Sequence, residues 1–161
     1  MPTDLSPTVF HLSSILWHAA AAIALFLFLR RSGAPQAVGI AVCTIFVVHP
    51  LHTEAVAYIS GRADSMAAAF MFAALYFCTW DESQRRRITG IGLGMLSFVA
   101  ALLSKESSLI FPVLLLMSTA FVPRERQGQL PPEQRWMPLG LSVVVLGAYA
   151  AIAILDFDGE L

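Results

Sequence analysis

From residue 9 to residue 29 the chain carries no charged side chain, and five further apolar runs follow at 37–48, 66–80, 88–104, 107–122 and 137–155. A bilayer core of about 30 Å takes roughly 20 helical residues at about 1.5 Å each. The first and last runs reach that length alone. The middle four are shorter, so each must recruit polar flanking residues to cross. Composition agrees, with 57% hydrophobic and 13% charged residues, against about 25% charged in soluble domains. A water-facing surface cannot be covered with so few polar groups. The pattern predicts an all-α integral membrane protein, one polytopic domain over 1–161, with about six spans near 9–29, 36–50, 65–80, 88–104, 107–122 and 137–155.

Charge placement sets the expected orientation. With six crossings, one side receives Arg30, Arg31, Arg85, Arg86, Arg87, Arg124, Arg126 and Arg135, and the other only Arg62 and Lys105. The positive-inside rule puts the arginine-rich loops 30–35, 81–87 and 123–136 in the cytoplasm. The polar stretch 49–64 and the short apex at Lys105-Glu106 then face outward. A single helix through residues 88–122 would put the flanking arginines on opposite sides, so a hairpin at Lys105 is expected. The first run has no preceding Lys or Arg and no small-residue cleavage site, so it is not read as a signal peptide. A natural N-out protein accounts for this, and so does another span preceding Met1; the second is the expectation. Net charge is −1 and no basic patch stands out, so nucleic acid is not an expected partner. Cys43 and Cys78 lie within apolar runs as small hydrophobes.

The unusual chemistry sits on the outward side. It consists of His49-Pro50-Leu51-His52-Thr53-Glu54-Ala55-Val56-Ala57-Tyr58-Ile59-Ser60-Gly61-Arg62-Ala63-Asp64 and of Ser104-Lys105-Glu106-Ser107-Ser108. Ionisable groups near hydrocarbon are costly, about 2.5–3.5 kcal/mol each at a helix centre on insertion scales, and they face cavities or one another. Pro50 should end the second span. If residues 51–60 resume as a helix, Glu54 and Tyr58 share a face. Asp64-Ser65 offers a cap for the third span. Locally paired interface charges, Lys105 with Glu106 and Arg62 with Asp64, are the plain alternative. A His49/His52/Glu54 metal set is another, but its spacing lacks the H-E-x-x-H form, and no metal is assigned. An anion site fits best. Lys105 is the single lysine of the chain and lies outward with Arg62. Lys binds phosphate as a point charge and Arg as a bidentate fork. His11 and His18, seven residues apart, are expected to pack on a neighbouring helix.

The run from His49 to Asp64, the later Leu102-Leu103-Ser104-Lys105-Glu106, and Phe10-His11-Leu12 leading into Leu16-Trp17-His18-Ala19 resemble the transmembrane and tetratricopeptide-repeat O-mannosyltransferase family over about residues 10–117. The resemblance implies a type C glycosyltransferase membrane fold. Such enzymes take a sugar, commonly mannose, from a polyprenyl phosphate and pass it to a protein hydroxyl outside the cytoplasm. It implies no cofactor, and as partners the lipid-linked donor, a protein acceptor and membrane lipids. Arg62, Lys105 and Glu106 are then expected at the donor phosphate, and His49, His52, Glu54, Tyr58 and Asp64 around the substrate cavity. The family's main catalytic acid lies in a loop before the span that Phe10 opens, so it is expected outside this chain. The membrane would be a bacterial inner membrane, or the endoplasmic reticulum in a eukaryote. A small transporter or permease subunit, or a membrane protein without chemistry, is the alternative.

Overall fold

The structure is a computed structural model that describes residues 7–50, 61–79, 84–121 and 132–158, all of them helical or in short connections between helices. In chain order the elements are α1 (Pro7–Arg31), α2 (Gln36–Val48), α3 (Arg62–Cys78), α4 (Gln84–Ser104), a 3₁₀ turn (Glu106–Ile110), α5 (Phe111–Phe121) and α6 (Pro132–Asp158). Among the described residues three stretches are long and apolar enough to cross a membrane, namely Thr8–Arg31, Arg86–Ser104 and Trp136–Asp156. Gln36–Val48 and Glu106–Thr119 are apolar but shorter. Several helices outrun the apolar pattern that announced them. α3 begins at Arg62 and α4 at Gln84, each ahead of its apolar run.

Each connection has a local cause. α1 closes with Arg30 and Arg31 in its last turn, where cations oppose the negative end of the helix dipole. Its final carbonyls are then taken up in a Schellman arrangement. The Gly33 amide donates to Arg30 O and the Ala34 amide to Leu29 O, at 3.2 and 3.0 Å. Gly33 has φ 92°, a left-handed conformation that lacks the Cβ clash only in glycine. α2 stops at His49, which Pro50 holds in an extended conformation (φ −66°, ψ 130°), as expected before proline. Lys105 is fully extended at φ −161°, ψ 139° and separates α4 from the 3₁₀ turn. The hairpin expected there is therefore present. The Ser108 hydroxyl ties it shut by donating to Ala101 O at 2.9 Å.

Ring contacts give the helix directions. At the start of α1, Phe10 lies beneath Arg62 of α3; further along, Trp17 meets Phe70, and Arg31 at the end of α1 donates from Nε to Thr79 O after α3. α1 and α3 therefore run parallel. α2 runs back between their levels, with Phe46 stacked on His18 at 5.0 Å and edge-on to Phe72 at 5.9 Å. His18 thus packs on a neighbouring helix as expected, whereas His11 is exposed. α4 is antiparallel to α3. Its buried stripe (Arg87, Gly90, Ile91, Gly94, Phe98, Ala101, Leu102) recurs at three- and four-residue steps and ends one turn before Lys105.

Between membrane helices the hydrophobic effect is largely spent, so small residues that let backbones approach do much of the holding. A Cβ built on Gly94 would stand 2.5 Å from Cys78 Sγ and 3.2 Å from Ala74 O. Phe98 and Phe111, both fully buried, stack at 4.4 Å and seal α4 to α5. α6 leans on this core through Leu139, Val145 and Tyr149. Its Val144, Ile152 and Leu155 stay exposed, a surface suited to lipid. Gly94→Ala should lower unfolding stability in detergent by about 1–3 kcal/mol through overpacking. Gly92→Ala, whose Cβ meets nothing within 4 Å, should leave the thermal midpoint unchanged or slightly raised.

Candidate functional site

The antiparallel α3–α4 pair brings the first turn of α3 beside the end of α4. There the Lys105 ammonium donates to the Asp64 carboxylate, an ion pair across 41 residues of sequence. Its two side chains are 43% and 44% exposed, which matters for magnitude. An exposed pair of this kind contributes about 0–1 kcal/mol, far less than the close helix approach beneath it. The pair reports where the helices put these groups more than it holds them there.

Arg62, two residues before Asp64, lies with its guanidinium carbon 5.7 Å from the centre of the Phe10 ring, within cation–π range. Arg62 and Lys105, the two basic residues expected to face outward, therefore stand at one end of the bundle. Arg31, Arg86 and Arg87 lie at the opposite end.

Two local expectations change. Asp64 does not cap α3. The helix starts at Arg62, with Gly61 at the capping position and no side-chain cap hydrogen bond, so Asp64 is the third helical residue and turns to Lys105. Lys105 in turn pairs with Asp64 rather than with its neighbour Glu106. A carboxylate in the first turn is favoured by the helix dipole in either position, and the nearby ammonium decides which way it faces. Ser65, the next residue, is 3% exposed, and its hydroxyl has no hydrogen-bond partner among the described residues. His49 is exposed at the end of α2 and Glu106 is exposed in the first turn of the 3₁₀ segment. His52, Glu54 and Tyr58 lie outside the described residues, so the shared face expected for Glu54 and Tyr58 does too. Among the described residues no group of three His, Cys, Asp or Glu is placed to hold a metal.

Phe10 is the contact that the sequence did not announce as part of this end. Nothing in the spacing of residues 10 and 62 pairs them; only the parallel packing of α1 on α3 does. A shallow, mostly apolar groove runs along α1, lined by Val9, Leu12, Ser13, Leu16, Trp17 and Ala20.

Comparison with known proteins bears on the same segment. The chain is 33% identical over 106 residues, 65% of its length, to protein O-mannosyl-transferase Tmtc1 of Drosophila melanogaster. To Tmtc2 of the same organism it is 31% identical over 154 residues, 92% of its length. The chain belongs to the transmembrane and tetratricopeptide-repeat O-mannosyltransferase family. The human family member TMTC3 is 29% identical over 109 residues, 66% of the chain. The chain spans only 12–16% of the length of these relatives. No protein-family model matches it, and no solved structure does.

A double-mutant cycle on Asp64→Asn and Lys105→Met checks the weight assigned to the pair. Chemical unfolding in detergent should give a coupling of about 1 kcal/mol or less. A coupling several times larger would make the pair a main support of the helix hairpin.

Proposed function

We propose that this chain is part of the membrane domain of an enzyme that transfers mannose from a polyprenyl-phosphate donor to a protein hydroxyl on the extracytoplasmic side. One observation carries the reading: Lys105 pairs with Asp64, two residues after Arg62, so two basic residues 43 positions apart in sequence stand at the same end of the bundle. A lipid phosphate needs cations at the edge of an apolar helix bundle, with room for a hydrocarbon tail alongside. The groove along α1, which begins at Val9 near the same end of the bundle, suits such a tail.

In the reaction, the acceptor hydroxyl oxygen attacks the anomeric carbon as the bond from that carbon to the phosphate oxygen breaks. A carboxylate takes the hydroxyl proton as general base. The departing lipid phosphate keeps the electron pair, and fixed cations stabilise its growing charge. Arg62 and Lys105 take that role, with Glu106 moderating the local charge. His49, His52, Glu54 and Tyr58 are assigned to the acceptor and sugar side, and the principal base is assigned to a segment outside this chain.

The side follows from charge. Arginines at the far end belong in the cytoplasm by the positive-inside rule, which turns the Lys105 end outward. Six crossings complete the arrangement, with α2, α3 and the 3₁₀–α5 unit spanning alongside the three longer helices. A carrier would favour polar groups near mid-membrane on broken helices; Arg62, Asp64 and Lys105 stand instead at helix ends.

Ser60→Cys and Gln127→Cys, each in a variant lacking Cys43 and Cys78, should react with membrane-impermeant maleimide from opposite faces; labelling from the same face contradicts the six-span orientation. For the chemistry, Arg62→Ala and Lys105→Ala should each weaken binding of a long-chain polyprenyl phosphate by about tenfold or more, the scale of a charge-assisted hydrogen bond. Unchanged binding by native mass spectrometry in lipid nanodiscs removes both residues from the donor site.

A further inference from the structure

Arg62 stands where a helix least favours a cation. It is the first residue of α3, at the positive end of the helix dipole. The carboxylate nearest to it in sequence, Asp64, is turned to Lys105. What the guanidinium meets is the Phe10 ring, with its Cζ 5.7 Å from the ring centre. That lies inside the range of about 6 Å over which the ring quadrupole attracts a cation.

A ring and a carboxylate are different partners for a guanidinium. A carboxylate takes up its N–H donors as a bidentate acceptor, and an anion arriving later has to displace it. A ring face attracts the charge as a whole and leaves the planar fork of donors for an oxyanion. The ring in turn is set in place by α1 and its packing rather than by Arg62. One turn on, the buried Ser14 hydroxyl donates to Phe10 O at 3.1 Å. Two turns on, Trp17 meets Phe70 of α3 at 5.2 Å. Phe10 to Trp17 is seven residues and Arg62 to Phe70 is eight, about 10.5 and 12 Å of helix rise. The two contacts are therefore successive levels of one parallel seam, and the Trp17–Phe70 level fixes the height at which Phe10 receives Arg62.

We propose that Phe10 is a positioning residue for the anion site: its ring holds the Arg62 guanidinium at the end of the bundle with N–H donors left for the donor phosphate. The proposal rests on the lipid-phosphate reading above and adds to it a residue of α1 that acts through Arg62.

The test uses the full chain in lipid nanodiscs, with a long-chain polyprenyl phosphate in the disc lipids or inorganic phosphate in the buffer, and binding read by phosphorus NMR. Mono-, di- and trifluorophenylalanine in place of Phe10 withdraw electrons from the ring face while nearly keeping its shape. They weaken the attraction for a cation without removing the packing. Polyprenyl phosphate binding should fall stepwise along that series, by about two- to fivefold at its end, and Phe10→Leu should match the last step. In an Arg62→Ala background the same series should be flat. A flat series with Arg62 present overturns the proposal: if Phe10→Leu still weakens binding the ring is a packing element, and if it does not the ring is a bystander. Binding that strengthens with fluorination overturns it too. Equal binding by wild type and Arg62→Ala removes Arg62, and Phe10 with it, while Lys105 keeps the donor reading. Wild-type protein that binds neither source of phosphate sinks both readings. A fluorine-graded response to inorganic phosphate alone keeps the positioning role and rejects the lipid as the occupant.

Discussion

The close approach of α3 to α4, with Gly94 against Cys78 and Ala74, sets the position of everything at the polar end. Helices this near can slide or roll little before backbone meets backbone. Once Gly94 is seated there, the antiparallel pairing carries the end of α4 to the start of α3. Lys105 then reaches Asp64 as a consequence of packing rather than as its cause. The ion pair is too exposed to hold the helices by itself, and its use is to settle which charges are spent and which stay open.

That division matters for what the end of the bundle can bind. Arg62 and Lys105 stand there with two carboxylates, Asp64 and Glu106, and Asp64 is taken by the cation on the facing helix. The guanidinium of Arg62 rests on an aromatic ring from α1, which joins three helices in one local arrangement. Chemistry at this end is therefore coupled to the packing of α1 on α3, and a change in either helix should be felt by any bound anion.

Much of this was legible in the residues. The uncharged run at 9–29 announced α1, Pro50 marked the end of α2, and the position of Lys105 predicted a hairpin in place of one long helix. The motif from His49 to Asp64 gave the family. Other features depend on packing that local patterning does not encode. The start of α3 at Arg62 places Asp64 within the first turn of the helix, where it meets Lys105 instead of capping. The cation–π contact with Phe10 requires the parallel packing of two helices 52 positions apart at that point. The unsatisfied hydroxyl of Ser65 is invisible until burial is known, since serine is equally ordinary on an exposed helix face.

The direct test of the account is whether the α3 start and the α4 end meet in a bilayer. In a chain lacking Cys43 and Cys78, Asp64→Cys combined with Lys105→Cys should be joined within one molecule by a short bismaleimide, with both thiols consumed and a single linker mass added to the monomer. Asp64→Cys combined with Arg86→Cys, at opposite ends of the same two helices, should take up two separate reagents. If the first pair also reacts only as two independent thiols, the two segments do not converge, and neither the shared polar end nor the function assigned to it stands.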